Sequence, residues 1–326
     1  MAITITGGAT LTGGANIGTG GSPSPSPAPY VFQGSNYGYT AGGDASGGPS
    51  AADVIDKFSF VSDANATDVG DLATGVRETT GQSSSANGYS SAGHLGYAIT
   101  TVIQKFAFAS DGNATNVGNL TSEAVANAAG QSSSDNGYIS GGAGANRINV
   151  IQKFPFASDG NTTDVGDLAE ARSGMAGQSS SESGYVAGGF VGTYNKTIDK
   201  FPFSSDADAT NVGNLIQTDT YKLSRASGQS STTHGYVSGG LNPHTNVIQK
   251  FSFSSDGNAT DVADLSGTFK SAAGQSSTAS GYVSGGDYND GTRTNIIEKF
   301  SFSSDGNGSD VGDLTVARKD CAGQQY

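Results

Sequence analysis

The sequence is poor in cysteine, in basic residues and in long apolar runs. Its single cysteine, Cys321, excludes an intramolecular disulfide and a cysteine-rich zinc site. Lys and Arg together number 16 against 29 Asp and Glu, for a formal net charge of −13, so most of the surface repels a phosphate backbone. No stretch approaches the roughly twenty apolar residues of a membrane span, and the N-terminus resembles no signal peptide. We therefore expect no nucleic-acid partner, no membrane insertion and no signal peptide.

Catalytic constellations are scarce as well. The three histidines, His94, His234 and His244, lack the HExxH spacing, and neither a GxSxG elbow nor a Walker loop occurs. Cys321 falls on an expected inner strand, where a small buried side chain is favoured over a nucleophile. We expect no enzyme activity and no cofactor.

A metal is the next candidate, because Asp- and Asn-rich turns such as "SDGNATN" from Ser110 offer oxygen ligands for calcium. These turns lack the bidentate Glu of an EF-hand loop, and Asp and Asn are also the common residues of tight turns. The favoured interpretation is a structural turn, with no metal site.

What the sequence does have is a repeat. The stretch "KFSFSSDGNATDVADL" from Lys250 returns almost unchanged as "KFSFSSDGNGSDVGDL" from Lys299. The corresponding lysines of the six copies are Lys57, Lys105, Lys153, Lys200, Lys250 and Lys299. A period close to fifty residues is typical of propellers and solenoids.

Each repeat predicts four short strands, as the third unit illustrates. It contains "GYISGG" from Gly137, "NVIQKFPF" from Asn149, the turn "SDGNTTD", the short strand "DVGDL", and "AGQSSSESG" from Ala176. Phe154 and Phe156 lie on one face of the second of these strands, and such pairs use twelve of the fifteen Phe residues, so they are expected to build the core. Four strands repeated six times predict an all-β, six-bladed propeller.

The two ends of the chain suggest how the propeller closes. A "GQ" motif ends the sequence at Gly323, while the first "GYTAGG", from Gly38, has no good "GQ" copy before it. The strand Cys321–Tyr326 is therefore expected to complete the first blade and remove its free edge. Residues 30–326 form the propeller in this interpretation, and residues 1–29 form an N-terminal anchoring arm with a Ser/Pro linker, whose alternative is a disordered tail.

The double glycines Gly141-Gly142 and Gly188-Gly189, with the aromatic strand that bears Phe154, resemble kelch repeats. The resemblance covers roughly residues 30 to 326 and implies a β-propeller. Two departures mark the chain as divergent: the family's Trp position is Val throughout (Val69, Val117, Val165, Val212, Val262 and Val311), and Ala92 replaces a glycine of the second unit. The repeated segment "KFPFASDGNTTDVGDL" and the N-terminal segment "AITITGGATLTGG" also resemble sequences in tail, fibre or decoration proteins of marine bacteriophages.

The repeats also distinguish the two faces of a propeller by how much their turns and loops vary between units. The near-identical turns "GQSSS" and "SDGNATD" fall on one face, and the segments that differ between units fall on the other, where function is usually carried. Aromatic and polar side chains there could bind sugars, and the alternative is that each loop only closes its hairpin. The candidate ligand-binding residues are Tyr97, Arg147, Phe190, Tyr194, Tyr221, Lys222, Phe269, Tyr288, Arg293 and Arg318.

Together with the resemblance to phage proteins, this pattern implies a non-enzymatic virion protein. Its propeller would attach the particle to a host-surface glycan or receptor, and residues 1–29 would bind other virion proteins. One alternative is a structural decoration or assembly protein that docks on neighbouring subunits, with a homo-oligomer also open. The third is a degenerate glycan-processing enzyme.

Overall fold

The computed structural model describes residues 32–45, 51–216, 223–241 and 245–326. These residues form 24 strands in six four-stranded antiparallel sheets, which confirms the all-β, six-bladed propeller. The expected arm, residues 1–29, lies outside the described residues. Among the residues described, no helix is long and apolar enough to cross a membrane.

The strands are β1 (Tyr37–Ala41), β2 (Val54–Ser59), β3 (Thr67–Asp71), β4 (Thr80–Ser83), β5 (Asn87–Leu95), β6 (Ala98–Ala107), β7 (Thr115–Asn119), β8 (Ala129–Ser132), β9 (Asn136–Ser140), β10 (Val150–Pro155), β11 (Thr163–Asp167), β12 (Ala176–Ser179), β13 (Ser183–Ala187), β14 (Thr197–Pro202), β15 (Thr210–Asn214), β16 (Ser227–Ser230), β17 (His234–Ser238), β18 (Val247–Ser252), β19 (Thr260–Asp264), β20 (Ala273–Ser276), β21 (Ser280–Ser284), β22 (Ile296–Ser301), β23 (Ser309–Asp313) and β24 (Ala322–Gln325).

Each blade runs from a short inner strand to an outer strand of sequence TDVGD or similar. The first blade has the order β24-β1-β2-β3, and the second to sixth blades are β4–β7, β8–β11, β12–β15, β16–β19 and β20–β23. In the first blade the C-terminal strand pairs with β1, from Gly38 opposite Gln325 to Ala41 opposite Ala322. One blade is thus built from both ends of the described chain.

The inner strands, of sequence AGQS or close to it, meet around the axis, which explains their small residues. A Cβ added to Gly177 would lie 2.3 Å from the Gly130 carbonyl oxygen of the preceding blade, so only glycine fits. The following Gln178 donates from Nε2 to the Tyr236 carbonyl oxygen of the next blade, at 3.0 Å. The same glutamine contact recurs in all six blades.

The aromatic core lies between blades. Tyr185 stacks on Phe253 of the next blade with ring centroids 4.7 Å apart, and Phe251 packs edge-on against Phe253 at 5.8 Å. All six blades repeat this arrangement of one Tyr and a Phe pair, which confirms that the repeated Phe residues build the core. Burial raises the pKa of Tyr185 to about 12.

The turns between the third and fourth strands of each blade fasten neighbouring blades together. Lys57 Nζ lies 2.9 Å from Asp111 Oδ1 of the next turn, and Asn113 Oδ1 of that turn accepts from the Asp71 backbone N–H at 3.0 Å. Equivalent ion pairs occur at all six blade junctions. Within the described residues, no group of His, Cys, Asp and Glu is arranged to hold a metal ion.

Candidate ligand-binding face

The described parts of the variable segments lie on one face of the propeller, where a cavity opens on the central axis. They connect the second and third strands of each blade, and the outer strand to the next blade. The cavity has a volume of about 130 Å³ and reaches from the segments before the six inner strands down to their "GQ" glycines.

The mouth of this cavity is formed by one residue from each blade, three positions before its "GQ" glycine. We call these six residues the axial ring: Glu78, Asn127, Gly174, Arg225, Ser271 and Asp320. All have a left-handed backbone, with φ between 54° and 68°. Each backbone N–H donates to the carbonyl oxygen of the preceding member at 2.7 to 2.9 Å, so the hydrogen bonds close into a circle. This geometry is built by the backbone alone, so the side chains are free to differ.

The axial-ring side chains bring opposite charges together across the mouth. Arg225, from the fifth blade, extends Nη2 to 3.8 Å from Glu78 Oε1 of the opposite blade and Nη1 to 4.0 Å from Asp320 Oδ1. Asn127 Nδ2 donates to Glu78 Oε2 at 2.6 Å. Burial raises the pKa of the Asp320 carboxyl, although Arg225 opposes the shift. The mouth of the cavity therefore presents a cationic hydrogen-bond donor, Arg225, close to two acidic acceptors, Glu78 and Asp320.

Two further rings surround the axial ring. The middle ring consists of the residue before each axial member: Arg77, Ala126, Ser173, Ser224, Lys270 and Lys319. The outer ring consists of the first residue after each glycine pair, or its equivalent: Asp44, His94, Ala143, Phe190, Leu241 and Asp287. The two rings pair residue by residue through antiparallel backbone bridges.

These rings divide the mouth into two halves. In the sixth, first and second blades the outer ring carries Asp287, Asp44 and His94, and the middle ring carries three cations. Ion pairs connect this charged half, for example Lys319 Nζ with Asp287 Oδ2 at 3.2 Å. In the third, fourth and fifth blades the outer ring carries Ala143, Phe190 and Leu241, and the middle ring carries only Ala and Ser. We call this second part the apolar half.

Three of the candidate residues meet at the rim of the apolar half. Phe190 and Tyr194 pack edge-on with ring centroids 5.2 Å apart, and the Arg147 guanidinium carbon lies 4.5 Å from the centre of the Phe190 ring. All three side chains are half-buried. We call them the aromatic cluster.

The other candidates lie elsewhere. Tyr97 is 87% exposed at the tip of the β5–β6 hairpin, and Tyr288 packs on Phe269 with centroids 5.1 Å apart. Arg293 binds Asp44 through Nη2 at 2.9 Å. Tyr221 and Lys222 lie outside the described residues.

Phe269 and Arg318 are enclosed by the protein, which removes them from the surface that a ligand meets. Phe269 is 3% exposed and Arg318 is fully buried, with its Nη1 2.9 Å from Asp56 Oδ2. Both occupy the same repeat position, at the base of the loop before the inner strand, where the side chain turns into the blade. Sequence reasoning selected them by residue type, which does not distinguish a side chain that turns into the blade from one that faces outward.

The axial ring was missed by the sequence analysis although the repeats carry its signal. When the six units are aligned on "GQ", the third position before the glycine holds Glu, Asn, Gly, Arg, Ser and Asp. A column of six different, mostly polar residues beside a constant strand indicates a position where the fold does not constrain the side chain.

The side chains of this face can stack on a ligand and form hydrogen bonds with it. Cys321 also borders the cavity, but its side chain is buried, as the sequence predicted, and burial raises its thiol pKa to about 12. The thiol therefore stays protonated near neutral pH. A scan against protein-family models finds no match, and a search of curated proteins finds none either. The geometry of the face therefore carries the functional argument.

Proposed function

We propose that this protein is a non-enzymatic recognition protein of a phage particle, which attaches the particle to a glycan of the host surface through the variable face. The observation that carries the proposal is the mouth of the axial cavity, where an apolar half with the aromatic cluster at its rim faces a charged half. Sugars present apolar ring faces and many hydroxyls, and aromatic rings next to mixed donors and acceptors complement both.

The first described residues lie on the face opposite the variable face, which supports attachment of the protein to the particle through that opposite face. Gly34 forms a parallel bridge with Ser277 at the far end of the sixth inner strand, and Gln33 Nε2 donates to the Ser230 carbonyl oxygen at 2.9 Å. The described chain therefore begins on the face of the invariant turns. An arm that bound other virion proteins there would leave the variable face directed outward.

The test measures binding of the full chain to envelope polysaccharides purified from a panel of marine bacteria, by biolayer interferometry. The wild type is expected to bind at least one of them. The double variant Phe190→Ala/Tyr194→Ala is expected to bind it at least about tenfold more weakly, a loss of about 1.4 kcal/mol. The matched control Glu182→Ala changes an exposed residue on the invariant-turn face and should bind like the wild type.

Two results would reject this function. One is the absence of binding to every polysaccharide by the wild type. The other is equal binding by the double variant and the control. If the full chain bound no polysaccharide but did bind virions from which this protein is missing, the alternative of a structural decoration protein would replace the attachment function.

A further inference from the structure

We infer that the axial cavity and the aromatic cluster form one binding site, joined through Gly174, and that this site takes a single neutral pyranose at the end of a glycan chain. This inference rests on the proposed glycan attachment and specifies which part of the glycan is recognised. It concerns a place in the molecule that the sequence analysis did not identify.

Gly174 leaves an opening in the axial ring. The other five members carry side chains at the mouth, whereas Gly174 carries none. A Cβ added there would be in ordinary van der Waals contact, 3.5 Å from Arg225 Cγ and 3.6 Å from Ser224 Cβ, so there is room for a Cβ without a clash and the stem of Arg225 lines one side of the opening. This opening lies in the apolar half.

Backbone hydrogen bonds connect the segment of Gly174 to the aromatic cluster. Ser173, the residue before Gly174, pairs with Phe190 through two backbone hydrogen bonds of 3.2 and 2.9 Å. The backbone of Phe190 is therefore bonded to the chain neighbour of Gly174, and Arg147 and Tyr194 pack against the Phe190 ring. The aromatic cluster does not line the axial cavity itself, so a ligand must extend from the cavity past Gly174 to reach it.

The size and depth of the cavity limit the length of the glycan segment that can enter it. A buried water needs about 10–15 Å³ of such space, so about 130 Å³ corresponds to about ten waters, similar to the dozen or so heavy atoms of one pyranose. The cavity lining ends at the "GQ" glycines, where neighbouring inner strands are in backbone contact. At the opposite end of the inner strands, Gln33 and Gly34 bind the Ser230 and Ser276 carbonyl oxygens. A chain end fits such a blind cavity, and the middle of a chain does not.

The charges at the mouth favour a neutral sugar. Glu78 and Asp320 accept hydrogen bonds and Arg225 donates them, within a few ångströms of each other. A hydroxyl group both donates and accepts, so it satisfies either sign. A carboxylated sugar would gain from Arg225 and lose against two carboxylates, which makes it the poorer ligand.

The test is to fill the opening. Gly174→Asn is expected to preserve the fold, because Asn127 already occupies the equivalent position with φ of 54°. The matched control Gly160→Asn makes the same substitution in a turn on the other face, where nothing lies within 4 Å of the added Cβ. Melting temperatures check that both variants fold, and Phe190→Leu removes the aromatic ring while keeping an apolar side chain.

The probes are the methyl glycosides of glucose, galactose, mannose, N-acetylglucosamine and galacturonic acid, measured with the full chain by saturation-transfer NMR. At least one neutral glycoside is expected to bind, to compete with the envelope polysaccharide, and to bind at least about tenfold more weakly to Gly174→Asn and Phe190→Leu, equal to about 1.4 kcal/mol. The Gly160→Asn control should match the wild type.

Binding of the neutral glycosides to Gly174→Asn as to the wild type would overturn the inference, and so would binding of galacturonide alone. Polysaccharide binding that survives in Gly174→Asn but is lost in Phe190→Ala/Tyr194→Ala would reject this site and leave the proposed attachment function intact. Absence of polysaccharide binding by the wild type would instead reject the attachment function itself.

Discussion

Two buried Arg–Asp pairs occur at equivalent positions of the repeat. In each blade, the residue type at the loop position matches the residue type at the strand position. The fourth blade has Arg172 with Asp199 at 2.8 Å, and the first blade has Arg318 with Asp56. Where the loop residue is instead apolar, as in Val76, Val125, Leu223 and Phe269, the strand residue is Gln or Glu: Gln104, Gln152, Gln249 and Glu298. In every blade this strand side chain also accepts a hydrogen bond from the backbone N–H of a loop residue.

This covariation predicts that the fourth-blade pair can be exchanged only as a unit. Arg172→Leu leaves Asp199 buried without its partner and is expected to cost about 3–5 kcal/mol. Arg172→Leu/Asp199→Gln copies the fifth blade, keeps an acceptor for the Ala169 N–H, and is expected to recover most of the loss. Chemical denaturation of the two variants measures the difference. Equal destabilisation by the single and double variants would contradict the argument.

The buried tyrosines predict a loss of stability at alkaline pH. Burial raises the pKa of Tyr89, Tyr185, Tyr236 and Tyr282 to about 12, above the value near 10 of an unfolded chain. A pKa raised by folding means that the unfolded state loses its protons first, so this contribution is complete below about pH 10 and is lost as pH rises towards 12.

Urea unfolding from neutral pH into this range measures the decline. Tyr185→Phe removes one of the titrating groups, so its stability should fall less steeply than that of the wild type. Equal slopes for the two proteins would show that groups other than the buried tyrosines account for the decline.

The core was predictable at this scale because Tyr and Phe recur at fixed repeat positions with the period of a strand. The burial of Phe269 and Arg318 was not, because their loops vary in length and the expectation used residue type alone. The Asp in place of Gln at Asp56 and Asp199 was the sequence signal for a buried arginine.

At the level of the strand, the inner "GQ" glycine is expected to matter more for stability than the turn glycine, although both recur in the repeat. Gly177→Ala would place a Cβ 2.3 Å from a neighbouring carbonyl oxygen, and is expected to destabilise by about 1–3 kcal/mol or more. Gly160→Ala is the matched control, since its Cβ meets nothing within 4 Å and the equivalent positions Ala64 and Ala207 are already alanine. Thermal unfolding should separate the two clearly, and equal melting temperatures would argue against close contact at the axis.

The turns were predicted as structural from their residue types, and their contacts give the physical reason. Asp111 and Asn113 are engaged by Lys57 and by the backbone of Asp71 on the preceding blade. The inter-blade direction of these contacts was not predictable, because the repeat spacing predicts the strands of one blade and says nothing of how closely two blades approach.

For the whole molecule, closure depends on the last strand. Deleting Cys321–Tyr326 removes β24, exposes an edge of β1, and leaves two inner strands without their neighbour. We expect the truncated chain to lose its cooperative unfolding transition and to associate through the free edge. Size-exclusion chromatography and circular dichroism measure both effects.

A synthetic peptide of residues 320–326 should restore the transition when it is added to the truncated chain. The same peptide with Gly323→Ala should restore it less well, because the added Cβ would lie 2.2 Å from the Gly274 carbonyl oxygen. A truncated chain that unfolded like the wild type without any peptide would be evidence that closure does not depend on this strand.

The fold was predictable at this scale and the candidate site only in part. The period near fifty and the four-strand unit were sufficient for six blades. The face of the loops followed from strand order, and Arg147, Phe190 and Tyr194 were among the residues chosen on it. The axial ring was not identified, because its members are distant in sequence and converge only when the propeller closes, as Glu78 and Arg225 do across the mouth.

The hydrogen-bonded circle of the axial ring allows the side chains at the mouth to vary without a change of fold. Each duplicated unit contributes one side chain to a shared centre through a backbone that makes the same bonds with Glu, Asn, Gly, Arg, Ser or Asp. The left-handed backbone disfavours β-branched residues there and leaves small and polar ones admissible. A point mutation in one unit therefore changes one side chain at the mouth and leaves the hydrogen-bonded circle and the propeller unchanged.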